Sequence, residues 1–165
     1  METTQTHPAK EHPRQRRAKT AEKTPLPKTS RPLNDLLEWY SHLTLKNIKN
    51  IPRHYARDAF FKDPFTELYT TDELQKYYQR TLQKIHDVHF SFENVVEDGL
   101  QSFVTWVMTA RFMGREFSVQ GTSHFKFNSS GLCEYHRDYY DLSEEIYEHL
   151  PLLGAVFRGL KRVLN

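Results

Sequence analysis

Asp63, His136 and Asp138 are the residues of this chain best suited to proton chemistry. Asp63 closes the run Tyr55-Ala-Arg-Asp-Ala-Phe-Phe-Lys-Asp63-Pro64-Phe65, which reads as a helix end, a short strand and an aspartate at the strand's exit. Asp138 lies near the end of a hairpin, Gly121-Thr-Ser-His-Phe-Lys-Phe127-Asn-Ser-Ser-Gly131-Leu-Cys-Glu-Tyr-His136-Arg-Asp138-Tyr-Tyr-Asp141. Two carboxylates from distant segments, each in an aromatic strand region, point to a pocket holding acid/base groups. His136 stands two residues before Asp138, on the same side of one strand, and would share a proton with it through a substrate or water. Each has a plainer alternative. Asp63 can be a turn residue that bonds backbone N–H groups, His136 a hydrogen-bonded wall residue, and Asp138 a member of a charge network with Arg137 and Asp141.

These residues need a sheet to position them. Strands are expected at about 88–97, 100–113, 115–128 and 132–141, with turns at Asp98-Gly99, Gly114-Arg115 and Asn128 to Gly131. A two-residue turn at Gly114-Arg115 sets Trp106 opposite Ser123 and Met108 opposite Gly121. The turn at 128–131 sets Ser123 opposite His136 and Gly121 opposite Asp138. Alternation then gathers Trp106, Met108, Gly121, Ser123, His136, Asp138 and Tyr140 on one face. Gly121 leaves a gap beside the Asp138 carboxylate, and a close-packed core would fill such a gap. A three-residue turn near Gly99 adds Phe90 and Phe92 to this face, whereas a two-residue turn adds His89 and Ser91. The apolar pair belongs inside. Trp39 and Phe60 complete the expected apolar walls. Aromatic residues at such positions are also ordinary core.

The elements before the sheet are helical. A first helix is expected after Pro32, with Asn34 or Asp35 as N-cap and Leu33, Leu36, Leu37, Tyr40 and Leu43 as its apolar stripe. A short second helix near Ile48 to Tyr55 tolerates Pro52 in its first turn. Ala59 to Lys62 is a short strand that Pro64 ends. Thr70 and Glu73 form a capping box for a third helix, with Leu74, Tyr77, Tyr78, Leu82 and Ile85 on its apolar side.

Composition divides the chain of 165 residues unevenly. Residues 1–32 hold eight Lys/Arg, three acids, five of the eight prolines and no aromatic residue. That segment is expected to be a disordered basic tail, because it offers too little apolar surface to offset ordering entropy. The remainder carries fifteen Lys/Arg against eighteen Asp/Glu, so nucleic acid is not its expected ligand. Residues 143–165 are expected to form a C-terminal helical extension that caps the domain or a dimer surface. Membrane contact by this helix or the tail is the less favoured reading. No secretory signal or spanning run is seen, and the lone Cys133 fits a reducing, cytoplasmic setting. His86-Asp87-x-His89 lacks further ligands at metal-site spacing. No metal or cofactor is expected.

The order helix, helix, short strand, Asp-Pro, helix and long antiparallel sheet resembles the nuclear transport factor 2-like superfold, and within it the SnoaL-like proteins. The residues that carry the resemblance are Tyr55 to Pro64, Trp106-Val-Met, Gly121 with Phe125 and Phe127, Gly131-Leu, and Arg137-Asp-Tyr-Tyr-Asp141. It covers roughly 33–142. It implies an α+β cone, a curved and mostly antiparallel sheet wrapped around N-terminal helices. Such a fold serves isomerases, cyclases, dehydratases, hydrolases and non-enzymes alike. The ketosteroid isomerases of the superfold use an aspartate in an equivalent Asp-Pro as proton shuttle, and Asp63 matches it. Their oxyanion tyrosine and aspartic acid fall by spacing on Trp39 and Ser123. SnoaL-like cyclases use an aspartate of the last strand as acid/base, and Asp138 matches that position. The superfold's epoxide hydrolases use an Asp-Arg-Asp set, but Arg111 and Arg137 alternate onto the face away from Asp138.

Together these readings describe a small-molecule-binding domain that takes an apolar ligand and is expected to form a homodimer through its sheet. One expectation is a cofactor-independent acid/base enzyme of isomerase, cyclase or dehydratase type, acting on an apolar cyclic or carbonyl-bearing substrate. The other is a non-catalytic ligand-binding or assembly module.

Overall fold

A computed structural model describes residues 29–140. The expected tail (1–32), apart from its last four residues, and the expected extension (143–165) lie outside the described residues. The fold begins a little earlier than expected. Helix α1 spans Arg31–Ser41, with Pro32 in its first turn, where a missing N–H costs nothing. Ser30 stands at the N-cap, but its N–H and hydroxyl both bond the Glu97 carboxylate, at 2.8 and 2.6 Å. Neither Asn34 nor Asp35 is the cap. The stripe Leu33, Leu36, Leu37 and Tyr40 is buried, as its spacing requires.

A 3-10 helix, Ile48–Arg53, leads into β1, Tyr55–Lys62, which is longer than the expected 59–62. The two-residue β2, Glu67–Leu68, follows, and then helix α2, Thr71–Leu82. Thr70 caps α2 by accepting from the Glu73 N–H at 3.2 Å. The long strands are β3, Ile85–Asp98, β4, Gln101–Phe112, β5, Arg115–Phe127, and β6, Cys133–Tyr139. They form one sheet in the order β2-β1-β6-β5-β4-β3. Only the β1–β6 pair is parallel.

The turns set the registers. Met113 and Gly114 turn β4 into β5 with φ of 51° and 78°, the pair of positive values a tight hairpin of native twist requires. The turn therefore lies one residue earlier than expected, and the partners shift by two. Trp106 faces Gly121, and Met108 faces Val119. On the other side Ser123 faces Asp138, and Phe125 faces His136. A shift of two leaves every side chain on its expected face. It changes what Gly121 does. A Cβ there would meet Trp106 Cζ2 at 2.5 Å and Cη2 at 2.6 Å. The indole fills the space of the missing side chain, so Gly121 leaves no gap beside Asp138.

Between β3 and β4 the turn has two residues, Gly99 and Leu100, not three. Phe90 and Phe92 still face inward, because the register shifts between Phe92 and Asn94. A bulge at Glu93 supplies the extra residue expected from the turn.

Candidate functional site

Between the helices and the inner face of the sheet lies a cavity of about 670 Å³. Phe90, Phe92, Trp106, Met108, Val119 and Phe125 make its sheet wall, and Tyr40, Tyr77, Tyr78 and Leu82 its helical wall. Asp63, Ser123, His136, Asp138 and Tyr140 are the polar residues of the sheet side. Trp106, Met108, Phe90, Ser123, His136, Asp138, Tyr140 and Asp63 are thus brought to one space. Gly121 is not part of its wall.

Trp39 and Phe60 point elsewhere. Successive helical residues are turned by about 100°, so with Tyr40 facing the cavity Trp39 faces away. Its indole N–H bonds the Asn47 carbonyl at 3.1 Å, and its ring lies 5.4 Å from that of His54. Of the two adjacent aromatics of α1, Tyr40 and not Trp39 lines the cavity. Phe60 is on the outer face of β1, stacked on Tyr135 at 5.3 Å, and Phe61 takes the inward position.

Asp138 is held from one side. Its Oδ1 accepts from the Ser123 hydroxyl and lies 2.9 Å from His136 Nε2. Trp106 Nε1 donates in turn to Ser123 Oγ at 2.8 Å. Among the described residues Oδ2 takes no hydrogen bond, and it is not one of the sealed polar atoms without a partner. His136 and Asp138 touch directly, so nothing need bridge them as the strand spacing suggested. A regular strand spaces i and i+2 about 7 Å apart at Cα, and the long imidazole spans that distance.

Asp63 is only 6% exposed. Its Oδ1 accepts from the Phe65 N–H at 2.8 Å and its Oδ2 from the Tyr77 hydroxyl at 2.6 Å. The Asp63 N–H donates to the Thr66 carbonyl at 2.9 Å, which closes the turn after β1. No Lys or Arg pairs with either carboxylate among the described residues. Arg111 pairs with Asp87 at 3.6 Å, and the Arg137 guanidinium lies over Tyr139, so neither arginine lines the cavity.

Two partly buried phenols, Tyr77 and Tyr140, stand near the two carboxylates. Burial, then the charge of Asp63, pushes the Tyr77 phenol well up. Burial, then Asp63 and Asp138, does the same to Tyr140. Both phenols keep their protons throughout the neutral range. The Tyr140 hydroxyl takes no partner among the described residues. Tyr40, Tyr55 and Tyr78, which sequence reasoning assigned to apolar stripes or left unremarked, form a hydrogen-bonded group behind His136. A signal for them exists: a tyrosine in a buried stripe must find a partner for its hydroxyl, and this chain places three near one histidine.

A six-stranded curved sheet closed by two helices over a cavity defines a cone-shaped α+β domain. Solved structures share this fold. A hypothetical protein with a ketosteroid isomerase-like fold from Catenulispora acidiphila, in complex with trimethylamine, is 18% identical with a TM-score of 0.63, covering 72% of this chain and 92% of its own. An NTF2-like protein of unknown function from Burkholderia pseudomallei is 15% identical with a TM-score of 0.63, covering 70% and 95%. An LEH-like epoxide hydrolase from M. tuberculosis is 12% identical with a TM-score of 0.60, covering 81% and 92%. Identities this low establish the fold alone. The sequence itself is narrower in its affinity: the SnoaL-like domain matches residues 36–136, and the chain belongs to that family. No curated protein matches it. No helix among the described residues is long and apolar enough to cross a membrane.

Proposed function

We propose that this SnoaL-like domain is a cofactor-independent acid/base enzyme of isomerase, cyclase or dehydratase type, acting on an apolar cyclic, carbonyl-bearing substrate. The observation that carries the reading is the Asp138 carboxylate in the wall of an apolar cavity, with one oxygen bonded by Ser123 and His136 and the other unbonded among the described residues. Asp138 Oδ2 takes the proton from the carbon next to the substrate carbonyl. The electron pair moves onto the carbonyl oxygen, and the Tyr140 hydroxyl, which keeps its proton and bonds no other described residue, donates a hydrogen bond to it. Asp63 is the second carboxylate. Each carboxylate oxygen has two acceptor sites, so Asp63 keeps capacity beyond Phe65 and Tyr77. It stands on the same cavity to relay a proton to a second substrate atom. The aromatic wall holds the apolar body and excludes water.

The alternative is a binding or assembly module. The observation in its favour is Asp63, whose two bonded oxygens suit a turn anchor. Deuterium exchange separates the two. With 2-tetralone in D2O as probe, followed by NMR, the enzyme reading expects exchange of the protons next to the carbonyl well above buffer, and its loss in Asp138→Asn. Binding of the ketone with exchange at the buffer rate, for this and related cyclic ketones, would make the domain a binding module.

A further inference from the structure

Behind His136 lies a chain of hydroxyls that the acid/base reading does not use. Tyr78 OH is 2.7 Å from Tyr40 OH, Tyr40 OH is 2.6 Å from Tyr55 OH, and Tyr55 OH is 2.8 Å from His136 Nδ1. His136 Nε2 then meets Asp138. These groups come from α2, α1, β1 and β6, and all but Asp138 are buried, with Tyr55 at 1% and His136 at 2% exposure. The chain thus starts and ends at the same cavity, on Tyr78 of its helical wall and Asp138 of its sheet side.

With the imidazole neutral, only one arrangement of protons satisfies every one of these links. A carboxylate accepts and cannot donate, so Nε2 carries the imidazole proton and Nδ1 presents its lone pair. Tyr55 must then donate to Nδ1. Its oxygen accepts from Tyr40, whose oxygen accepts from Tyr78. The reverse order would set the bare Nε2 lone pair against the Asp138 carboxylate at 2.9 Å. We propose that Tyr55, backed by Tyr40 and Tyr78, is a positioning residue: it holds the His136 ring as the Nε2–H tautomer, which loads Asp138 Oδ1 and leaves Oδ2 for the substrate. Burial pushes all three phenols well above the usual tyrosine range, so none ceases to be a donor near neutral pH. The role of Asp138 in this statement rests on the acid/base reading; the direction of the chain does not.

The experiment is nitrogen NMR of the His136 ring in the full chain, together with 2-tetralone exchange. The wild type is expected to show a protonated, pyrrole-like Nε2 and a pyridine-like Nδ1. A proton found on Nδ1 instead would overturn the direction and with it the proposal. Tyr55→Phe strips Nδ1 of its 2.8 Å donor and leaves it only the distant Tyr40 hydroxyl, 3.4 Å away. The Nδ1 resonance should then move, with protonation or ring reorientation, and exchange should fall about tenfold, the effect of one unsatisfied buried group. An unchanged ring spectrum in Tyr55→Phe would also overturn the proposal. Tyr40→Phe breaks the chain one link back and serves if Tyr55→Phe does not fold, with the same signs and a smaller change. Should Asp138→Asn leave exchange untouched, the acid/base reading fails, while the ring spectra still decide the chain.

Discussion

Asp63 and Asp138 are the same residue at the same cavity, held in opposite ways. Asp138 sits on a strand, and Ser123 of β5 and His136 of its own β6 both bond one of its oxygens, with Trp106 of β4 donating to Ser123 behind them. Asp63 sits in a turn, and its first partner is the N–H two residues on, with Tyr77 of α2 on the other oxygen. A sheet can aim many side chains at one atom because neighbouring strands place their residues side by side. A turn spends its aspartate on its own backbone. Under the proposed acid/base reading, the comparison makes Asp138 the group that exchanges protons and Asp63 the more committed one.

The largest effect tests that asymmetry directly. Asp138→Asn should lower 2-tetralone exchange by about a hundred- to ten-thousandfold, the usual worth of a positioned acid/base group. Asp63→Asn should lower it less and cost stability as well, because the amide replaces an acceptor of the Tyr77 hydroxyl and the turn. Rates fitted for the two variants under one condition decide the matter. A larger loss in Asp63→Asn would invert the assignment.

Alkaline pH separates the two ends by stability. Three buried phenols stand behind Asp138 and one, Tyr77, beside Asp63. All have folded-state values raised above those of the unfolded chain, chiefly by burial. A raised value means that the folded protein binds the proton more tightly. The stabilisation is complete below the unfolded tyrosine range, near pH 10, and is lost as pH rises beyond it. Urea unfolding should therefore show stability falling above about pH 10, each buried phenol adding on the order of 1 kcal/mol per pH unit. Tyr40→Phe should make the fall shallower. An unaltered slope would mean that Tyr40 ionises in the folded protein as readily as in the unfolded one.

Gly121→Ala tests the wall that aims Ser123 at Asp138. The added methyl would overlap the Trp106 ring, and the Tyr139 carbonyl lies 3.0 Å from its position. Overpacking of this kind costs about 1–3 kcal/mol, and displacing the indole would loosen the Trp106–Ser123 bond. A stable variant with unchanged tryptophan fluorescence would mean that the wall yields without cost.

The same glycine shows what was legible in the sequence. The fold class, the inward set Phe90, Trp106, Met108, Ser123, His136 and Asp138, and the capping box at Thr70 follow from periods of two and 3.6 and from the order of elements. Register did not. Moving one hairpin turn by a residue, from Gly114-Arg115 to Met113-Gly114, re-paired β4 with β5 by two and gave Gly121 a different neighbour. Phe60 was misplaced because strand alternation gives two faces and does not say which is inside. Trp39 was misplaced because it was set by spacing to the superfold's helix-1 tyrosine, although the stripe Leu33, Leu36, Leu37 and Tyr40 already turned Tyr40 toward the core. The tyrosine chain joins residues 40, 55, 78 and 136 through side-chain atoms of four elements, and no periodicity encodes such a meeting.

The smallest effect bears most finely on the two carboxylates. Tyr77→Phe removes the donor to Asp63 Oδ2 and leaves the ring packed at 5.6 Å from Phe61. Loss of one buried hydrogen bond costs about 1 kcal/mol, and a midpoint shift in urea with an unchanged slope would report it. If Asp63 is mainly an anchor of its turn, the Phe65 N–H still holds the carboxylate in place and 2-tetralone exchange should change less than about threefold, well short of the loss in Asp138→Asn. If exchange falls as far as in Asp138→Asn, protons reach the substrate through Tyr77 and Asp63. The committed carboxylate would then be the active one, and the free oxygen of Asp138 a polar spot in the wall.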